Sequence, residues 1–164
     1  MSLIDFLRRI PIFGGLEDAE LGRVATYLRG KTYRAGEVIM REGEQAKELF
    51  IVRQGEVEIF KDVGVDLEEA RIALLGEGQC FGEMSLIDIM PRSASVRALT
   101  ETEALSLSYS DFRALCCGPT ETFTLLVMNI AREISRRLRL ADSLLAEYNI
   151  HSRSARGGVG SSQP

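Results

Sequence analysis

The stretch CFGEMSLIDIMPRSASV, residues 80–96, decides how the rest of this chain is interpreted. Gly82 leads into a run that is too apolar for a plain loop and that has the length of a single helical turn. Because the first backbone N–H groups of a helix have no partner inside it, the start of this turn is suited to bind an anion. Arg92 follows the turn, and its guanidinium together with the free amides would form a phosphate cradle.

Glu83 lies beside this predicted anion site, where its negative charge cannot favour a phosphate. A carboxylate is useful there if it accepts a hydrogen bond from a sugar hydroxyl. The alternative is that Glu83 and Arg92 pair with each other or with solvent, as an arbitrary glutamate and arginine nine residues apart usually do. The surrounding sequence therefore has to decide between the two interpretations.

Short β-rich runs separated by glycine-marked turns flank this stretch, from Lys31 to about Tyr109. Their even spacing is typical of a sandwich or barrel. The acidic residues 62–69 are predicted to form a solvated hairpin loop between two of the strands. The predicted strands are 32–34, 38–40, 49–53, 57–62, 71–75, 93–99 and 103–109.

Helical patterns lie at both ends of the chain. Two short helices are predicted in residues 1–30, where Pro11 ends the first and residues 12–15 form a connector. A long helix is predicted from Pro119 to about Tyr148, since proline suits the first helical position and a heptad repeat follows. The positions of this repeat are Phe123, Val127, Ile130, Ile134, Arg137, Ala141, Leu144 and Tyr148.

The heptad repeat allows two interpretations, which are docking onto the β-structure and self-association as a parallel homodimer. Its length and register make self-association at least as good an explanation as docking. Residues 1–150 are predicted to be one domain that includes the helix 119–148. Residues 151–164, rich in glycine, serine and arginine, are predicted to be a disordered tail, because they cannot bury enough apolar surface to order themselves.

Charge and hydropathy exclude several function classes. The chain has 164 residues with 20 basic and 24 acidic side chains, and the net charge of −4 argues against a non-specific nucleic-acid binder. No apolar run approaches the roughly 20 residues of a membrane span, and the N-terminus lacks the apolar core of a signal peptide. We therefore expect a cytoplasmic protein whose partners include neither nucleic acid nor a membrane.

The reactive side chains argue against an enzyme. The only histidine, His151, lies beside the polar tail, and the three cysteines form no CxxC pair. A metal-dependent enzyme on a cupin-like barrel would need several histidine ligands, and a Ser-His or Cys-His pair would need a histidine in the domain. We expect no catalytic residue, no metal and no cofactor.

Residues 80–96 resemble the phosphate-binding cassette of the cyclic-nucleotide-binding domain family, the sensor module of catabolite-activator-type regulators and of cyclic-nucleotide-dependent kinases. The resemblance covers about residues 10–148. It implies a mainly β fold with flanking helices, namely a double-stranded β-helix (a jelly-roll or cupin-like β-roll) with N-terminal helices and a long C-terminal helix. Other segments that match the family pattern are IFGGL 12–16, YRAGEVI 33–39, EGE 42–44, LFIVRQGEV 49–57 and LGEGQCFGE 75–83.

The resemblance also implies roles for individual residues. Arg92 would bind the cyclic phosphate, and Glu83 would bind the ribose 2′-hydroxyl. The phosphate shell would be completed by backbone amides of the cassette, and the base would pack against the barrel wall, with Arg137 reaching toward the site. The implied ligand-binding residues are Gly82, Glu83, Met84, Ser85, Arg92, Ser93, Ala94, Val57, Ile72, Leu75 and Arg137. The base-reading Thr-Ser pair of the family's best-known bacterial member aligns with Ala141-Asp142, which leaves the base unassigned.

The function implied is that of a cyclic-nucleotide sensor, with cyclic AMP favoured over cyclic GMP because it is the commoner bacterial-type effector. Only 16 residues follow Tyr148, too few for a helix-turn-helix domain. We therefore expect a regulatory module that acts through an unidentified protein partner or through its own homodimer. The alternatives are a dimeric scaffold of the same fold without a ligand, and the sensor fragment of a longer regulator.

Overall fold

The computed structural model describes residues 1–63, 68–88, 90–117 and 120–157 of the chain. The strands are β1 (Arg29–Tyr33), β2 (Val38–Met40), β3 (Glu48–Gln54), β4 (Val57–Val63), β5 (Glu68–Leu75), β6 (Cys80–Phe81), β7 (Ser95–Ala98) and β8 (Thr102–Ser108). They form two four-stranded antiparallel sheets, in the orders β1-β8-β3-β6 and β2-β7-β4-β5.

Strand β3 shows how one sheet serves two apolar cores. Leu49 and Ile51 pack with the helices, whereas Phe50 and Val52 pack between the two sheets. This follows from the pleat, because successive side chains of a strand point to opposite faces. The protein therefore has three layers, and the two facing sheets confirm the predicted β-roll.

The helices form the third layer and close one side of the first sheet. Ser2 caps the first of them, since its hydroxyl accepts a hydrogen bond from the Asp5 backbone N–H at 3.1 Å. Among the described residues, no helix combines the length and the apolar composition that a membrane crossing needs. The helical segments are α1 (Leu3–Arg8), a 3₁₀ turn (Pro11–Phe13), α2 (Asp18–Tyr27), α3 (Met84–Asp88), α4 (Tyr109–Cys116) and α5 (Thr120–Gly157).

Two local predictions are wrong in detail, and one strand was not predicted. Strand β6 has only two residues, too few for a periodic pattern, and is defined by its pairing with β3. The predicted loop 62–69 is shorter than expected, because Val63 pairs with Glu68 and only residues 64–67 lie outside the described part. Pro11 opens a 3₁₀ turn whose next two residues are buried, so this segment is part of the core and not a plain connector.

Helix α5 docks on the helical layer through its first half. Ile130 is 1% exposed and belongs to the same core as the helices, together with Leu126. The amide Nδ2 of Asn129 donates hydrogen bonds to the main-chain oxygens of Ile12 and Gly14, at 3.3 and 2.8 Å. Docking therefore accounts for Ile130, and the homodimer seam is wrong at that position.

The second half of α5 extends beyond the domain. The helix passes Tyr148, where the sequence analysis ended it, and continues to Gly157. Residues 158–164 of the predicted tail lie outside the described residues. Several leucines along this half are exposed to solvent, among them Leu138 at 60% exposure.

Candidate functional site

Gly82 forms the corner between β6 and the short helix α3. Its φ of +76° lies in the left-handed region, which glycine adopts without strain. A Cβ at this position would lie 2.5 Å from Nη1 of Arg92. The corner is therefore restricted to glycine twice, by its backbone conformation and by the approach of the guanidinium.

Arg92 is a buried cation held by main-chain oxygens. It is 6% exposed, and Nη1 donates to the carbonyl of Gly82 at 3.1 Å while Nη2 donates to the carbonyl of Glu48 at 2.6 Å. Burial lowers the pKa of the Arg92 guanidinium, and the carboxylate of Glu48 opposes that shift. Within the part of the chain that the structure describes, Arg92 forms no ion pair, so its charge is available to an anion.

Glu83 is a buried carboxylate with one oxygen unused. It is 2% exposed, and Oε1 accepts a hydrogen bond from Nη1 of Arg137 at 2.9 Å. Oε2 is buried and has no hydrogen-bond partner among the described residues. Burial raises the pKa of Glu83, and Arg137 opposes that shift. Such an oxygen is an acceptor that a hydroxyl donor from outside the chain can satisfy.

Arg137 joins helix α5 to this corner of the roll. Besides Glu83, its guanidinium donates to the main-chain oxygen of Cys80, and its Nε lies 3.4 Å from Oε1 of Glu133. The long helix therefore contacts the site through a charged side chain. Burial raises the pKa of the Cys80 thiol to about 12, so this cysteine is a neutral packing residue.

The remaining cassette residues differ in how deeply they are buried. Met84 and Ser93 are exposed and meet where the Ser93 hydroxyl donates to the sulfur of Met84 at 3.8 Å. Ala94 is buried immediately before β7. The backbone of Ser85 belongs to α3, but its side chain lies outside the described residues.

The three wall residues expected to contact a base do not form one surface. Val57 and Leu75 are paired across β4 and β5 and are buried in the core between the sheets. Ile72 is 53% exposed and lies beside the irregularity in the β4–β5 ladder. Val57 and Leu75 face inward, and the irregularity changes the strand's alternation next to Ile72, so the three side chains do not share one face.

The groups that hold Arg92 in place were not predicted from the sequence. Two of them are main-chain oxygens, those of Gly82 and Glu48, and a main-chain atom carries no residue-type signal. The Glu48 carboxylate in turn lies 2.5 Å from Nζ of Lys31. This ion pair joins β1 to β3, and no spacing in the sequence could have indicated it.

The comparison with protein families agrees with this geometry. The family model of the cyclic nucleotide-binding domain matches residues 30–117. The chain therefore belongs to the cyclic nucleotide-binding domain family, and the resemblance drawn from residues 80–96 is confirmed.

Three curated relatives show how this domain is used in longer proteins. A cyclic AMP receptor protein of Thermus thermophilus is 37% identical over 132 residues, which are 80% of this chain and 59% of that protein. A cyclic nucleotide-gated potassium channel of Mesorhizobium japonicum is 38% identical and covered over 32% of its length by 71% of this chain. A cAMP-dependent protein kinase regulatory subunit of Pyricularia oryzae is 34% identical, with coverage of 71% and 29%. This chain thus spans about a third to three fifths of these relatives.

Solved structures show the same fold. The catabolite activator protein of Thermus thermophilus superposes with a TM-score of 0.73 at 36% identity, over 85% of this chain and 63% of that one. A cyclic nucleotide-binding domain from Methylobacillus flagellatus superposes with a TM-score of 0.78 at 26% identity, over 88% and 82% of the two chains.

Proposed function

We propose that this protein binds a 3′,5′-cyclic nucleotide, with cyclic AMP favoured over cyclic GMP, and acts as a sensor. The observation that carries the proposal concerns two buried residues: within the described part of the chain, Arg92 donates hydrogen bonds to main-chain oxygens alone, and Glu83 has one oxygen without a hydrogen-bond partner. Few ligands need a cation and a hydroxyl acceptor side by side, and a ribose cyclic phosphate is one of them.

In this proposal the two charged residues divide the recognition of the ligand. Arg92 and the backbone amides of residues 82–85 and 93–94 bind the anionic phosphate, and Oε2 of Glu83 accepts a hydrogen bond from the ribose hydroxyl. The other oxygen of Glu83 still accepts the hydrogen bond from Arg137. Ribose binding at Glu83 is therefore connected to helix α5 through this contact. The sensor needs no catalytic group for this role.

Fewer residues of the site bear on the choice of base than on the sugar and the phosphate. Ile72 is the exposed member of the expected wall, and it offers an apolar surface to either purine. The preference for cyclic AMP rests on relatives named as a cyclic AMP receptor protein and as cAMP-dependent kinase regulatory subunits. Ser93, whose hydroxyl is exposed next to Arg92, is a donor or acceptor for phosphate or guanine.

Isothermal titration calorimetry tests the proposal. Cyclic AMP and cyclic GMP are each titrated into the protein, and 5′-AMP, which lacks the cyclic phosphodiester, serves as the matched control. We expect saturable binding of at least one cyclic nucleotide and much weaker binding of 5′-AMP. If neither cyclic nucleotide binds, the dimeric scaffold without a ligand becomes the better explanation.

We propose in addition that the protein is cytoplasmic. It would pass on the effect of ligand binding through its own homodimer or through an unidentified protein partner. The face of α5 opposite its docked side has positions spaced by three, four, three and seven residues, with Asp142 inside the last gap, and supports a seam that differs from the one expected. Met128, Ala131, Ser135, Leu138 and Leu145 are all exposed along it. Light scattering of Leu138→Glu with Leu145→Glu should show a monomer where the wild type is a dimer, and a monomeric wild type contradicts the dimer.

A further inference from the structure

Glu48 contacts two cations with two different parts of the residue. Its main-chain oxygen accepts a hydrogen bond from Nη2 of Arg92 at 2.6 Å. Its side-chain Oε1 binds Nζ of Lys31 at 2.5 Å. The carboxylate of this residue is therefore bound to Lys31, although its charge still acts on Arg92 through space.

The aromatic ring of Phe50 lies near both cations. Nζ of Lys31 lies 5.2 Å from the ring centroid, and Cζ of Arg92 lies 6.0 Å from it. A cleft of about 370 Å³ is lined by Glu48, Phe50 and Arg92, among others. A carboxylate at Glu48 that is released from Lys31 has room to turn toward Arg92.

Such a turn would directly oppose phosphate binding. A carboxylate and a guanidinium form a strong, often bidentate pair, and the phosphate would then have to displace it. The Lys31–Glu48 pair is partly exposed, with 38% and 25% of the two side chains accessible. The Lys31–Glu48 ion pair therefore contributes little to folding stability. Its larger effect is on the position of the Glu48 charge relative to Arg92.

We propose that Lys31 is a positioning residue for the phosphate site, because it holds the Glu48 carboxylate away from Arg92 and so keeps the guanidinium available to an anion. This inference rests on the proposed function and extends the site to β1, outside the cassette. Since every cyclic nucleotide carries the same phosphate, the effect applies equally to cyclic AMP and cyclic GMP.

A double-mutant cycle measured by calorimetry with both nucleotides tests this role. Lys31→Met should weaken binding of each nucleotide by ~tenfold, equivalent to ~1.4 kcal/mol. Glu48→Gln keeps the main-chain oxygen, removes the charge and should strengthen binding by up to ~threefold. In the Glu48→Gln background, Lys31→Met should change the dissociation constant by less than ~twofold.

Two control variants separate positioning from a general loss of positive charge. Lys47→Met removes an equal charge from the rim of the same cleft without releasing Glu48, and we expect it to cost at most ~threefold in affinity. Lys31→Arg preserves the ion pair and should bind like the wild type. Thermal unfolding without nucleotide should give similar midpoints for all of these variants.

The outcomes distinguish this inference from the proposed function. If the wild type binds neither nucleotide, both are overturned. If the wild type binds, Arg92→Ala loses binding and Lys31→Met binds normally, the role of Lys31 alone is overturned. If Lys31→Met weakens binding equally with and without the Glu48 charge, Lys31 acts through its own charge and the inference is also wrong.

Discussion

Two buried glutamates, Glu58 and Glu83, occupy opposite environments although each contacts arginine. Glu58 lies on the outer face of the second sheet, is 4% exposed and accepts hydrogen bonds from Nε of Arg71 at 2.7 Å and from Nε and Nη2 of Arg97 at 2.9 and 2.6 Å. The guanidinium of Arg97 also lies 4.6 Å from the ring centroid of Phe60. Hydrogen bonds from Arg97 and Arg71 lower the pKa of Glu58.

Glu83 is buried to the same degree but only half of its hydrogen-bonding capacity is used. One oxygen pairs with Arg137, the other has no partner among the described residues, and burial raises the pKa of the carboxyl. The difference shows in which region the buried charges are already paired without a ligand. The charges around Glu58 satisfy each other and stabilise the sheet, whereas those of Glu83 and Arg92 are maintained at a cost that suits a binding site.

The largest expected effect separates the two arginines that define these regions. Arg92→Ala should weaken cyclic-nucleotide binding by about two to three orders of magnitude, since removing one partner of a desolvated charge pair costs roughly 3–5 kcal/mol. Arg97→Ala is the matched control, and calorimetry should show an unchanged dissociation constant. If wild type and Arg92→Ala bound the nucleotide with equal affinity, the assignment of the phosphate to this site would be wrong.

Ligand should stabilise one region and leave the other unchanged. At 100 times its dissociation constant, a nucleotide adds about 2.7 kcal/mol to the free energy of unfolding. Hydrogen exchange with and without cyclic AMP should show added protection at residues 82–95 and 136–148, where the phosphate shell and the lower half of α5 gain contacts. The strands around Glu58 should change least, and protection spread evenly over the chain would contradict a moving helix α5.

Neutralising each glutamate should affect stability differently. Glu58→Gln removes the carboxylate that Arg71 and Arg97 share, although Arg97 keeps its ion pair with Glu69, and it should lower the free energy of unfolding by about 1–3 kcal/mol. Glu83→Gln should change it by less than about 0.5 kcal/mol, because the amide oxygen still accepts from Arg137 and the desolvated charge is gone. Chemical denaturation of the ligand-free variants measures both, and a larger loss for Glu83→Gln would reverse the comparison.

The pH dependence of these two effects should have opposite signs. The pKa of Glu58 is lowered in the folded state, so its stabilisation is full above the unfolded value near 4.5 and is lost as the pH falls through the folded pKa. The pKa of Glu83 is raised, so its ionised form destabilises the fold above that folded pKa, and the penalty disappears on acidification. As the pH falls from about 7, the unfolding free energy of Glu58→Gln should therefore approach that of the wild type from below, whereas the small difference between Glu83→Gln and the wild type should close from above.

The strands of the roll were largely predictable because their signals are local. Turn glycines and short β-branched runs mark β2 to β5, β7 and β8 within a few residues of their observed bounds. Strand β6 was missed because two residues carry no period. The face of α5 was assigned wrongly at Ile130, since the heptad positions are compatible with docking and with self-association alike.

The sequence by itself indicated a sandwich or barrel and singled out Glu83 and Arg92 as candidates, because a glycine corner followed by a helix start is a local motif, and the family resemblance of residues 80–96 then implied the β-roll. Only the tertiary structure decided how those residues are held. The carbonyl that anchors Arg92 is 44 residues away, and the arginine that engages Glu83 is 54 residues away on another element. Contacts of this kind depend on how the roll and the long helix pack, and main-chain acceptors leave no trace in the residue types.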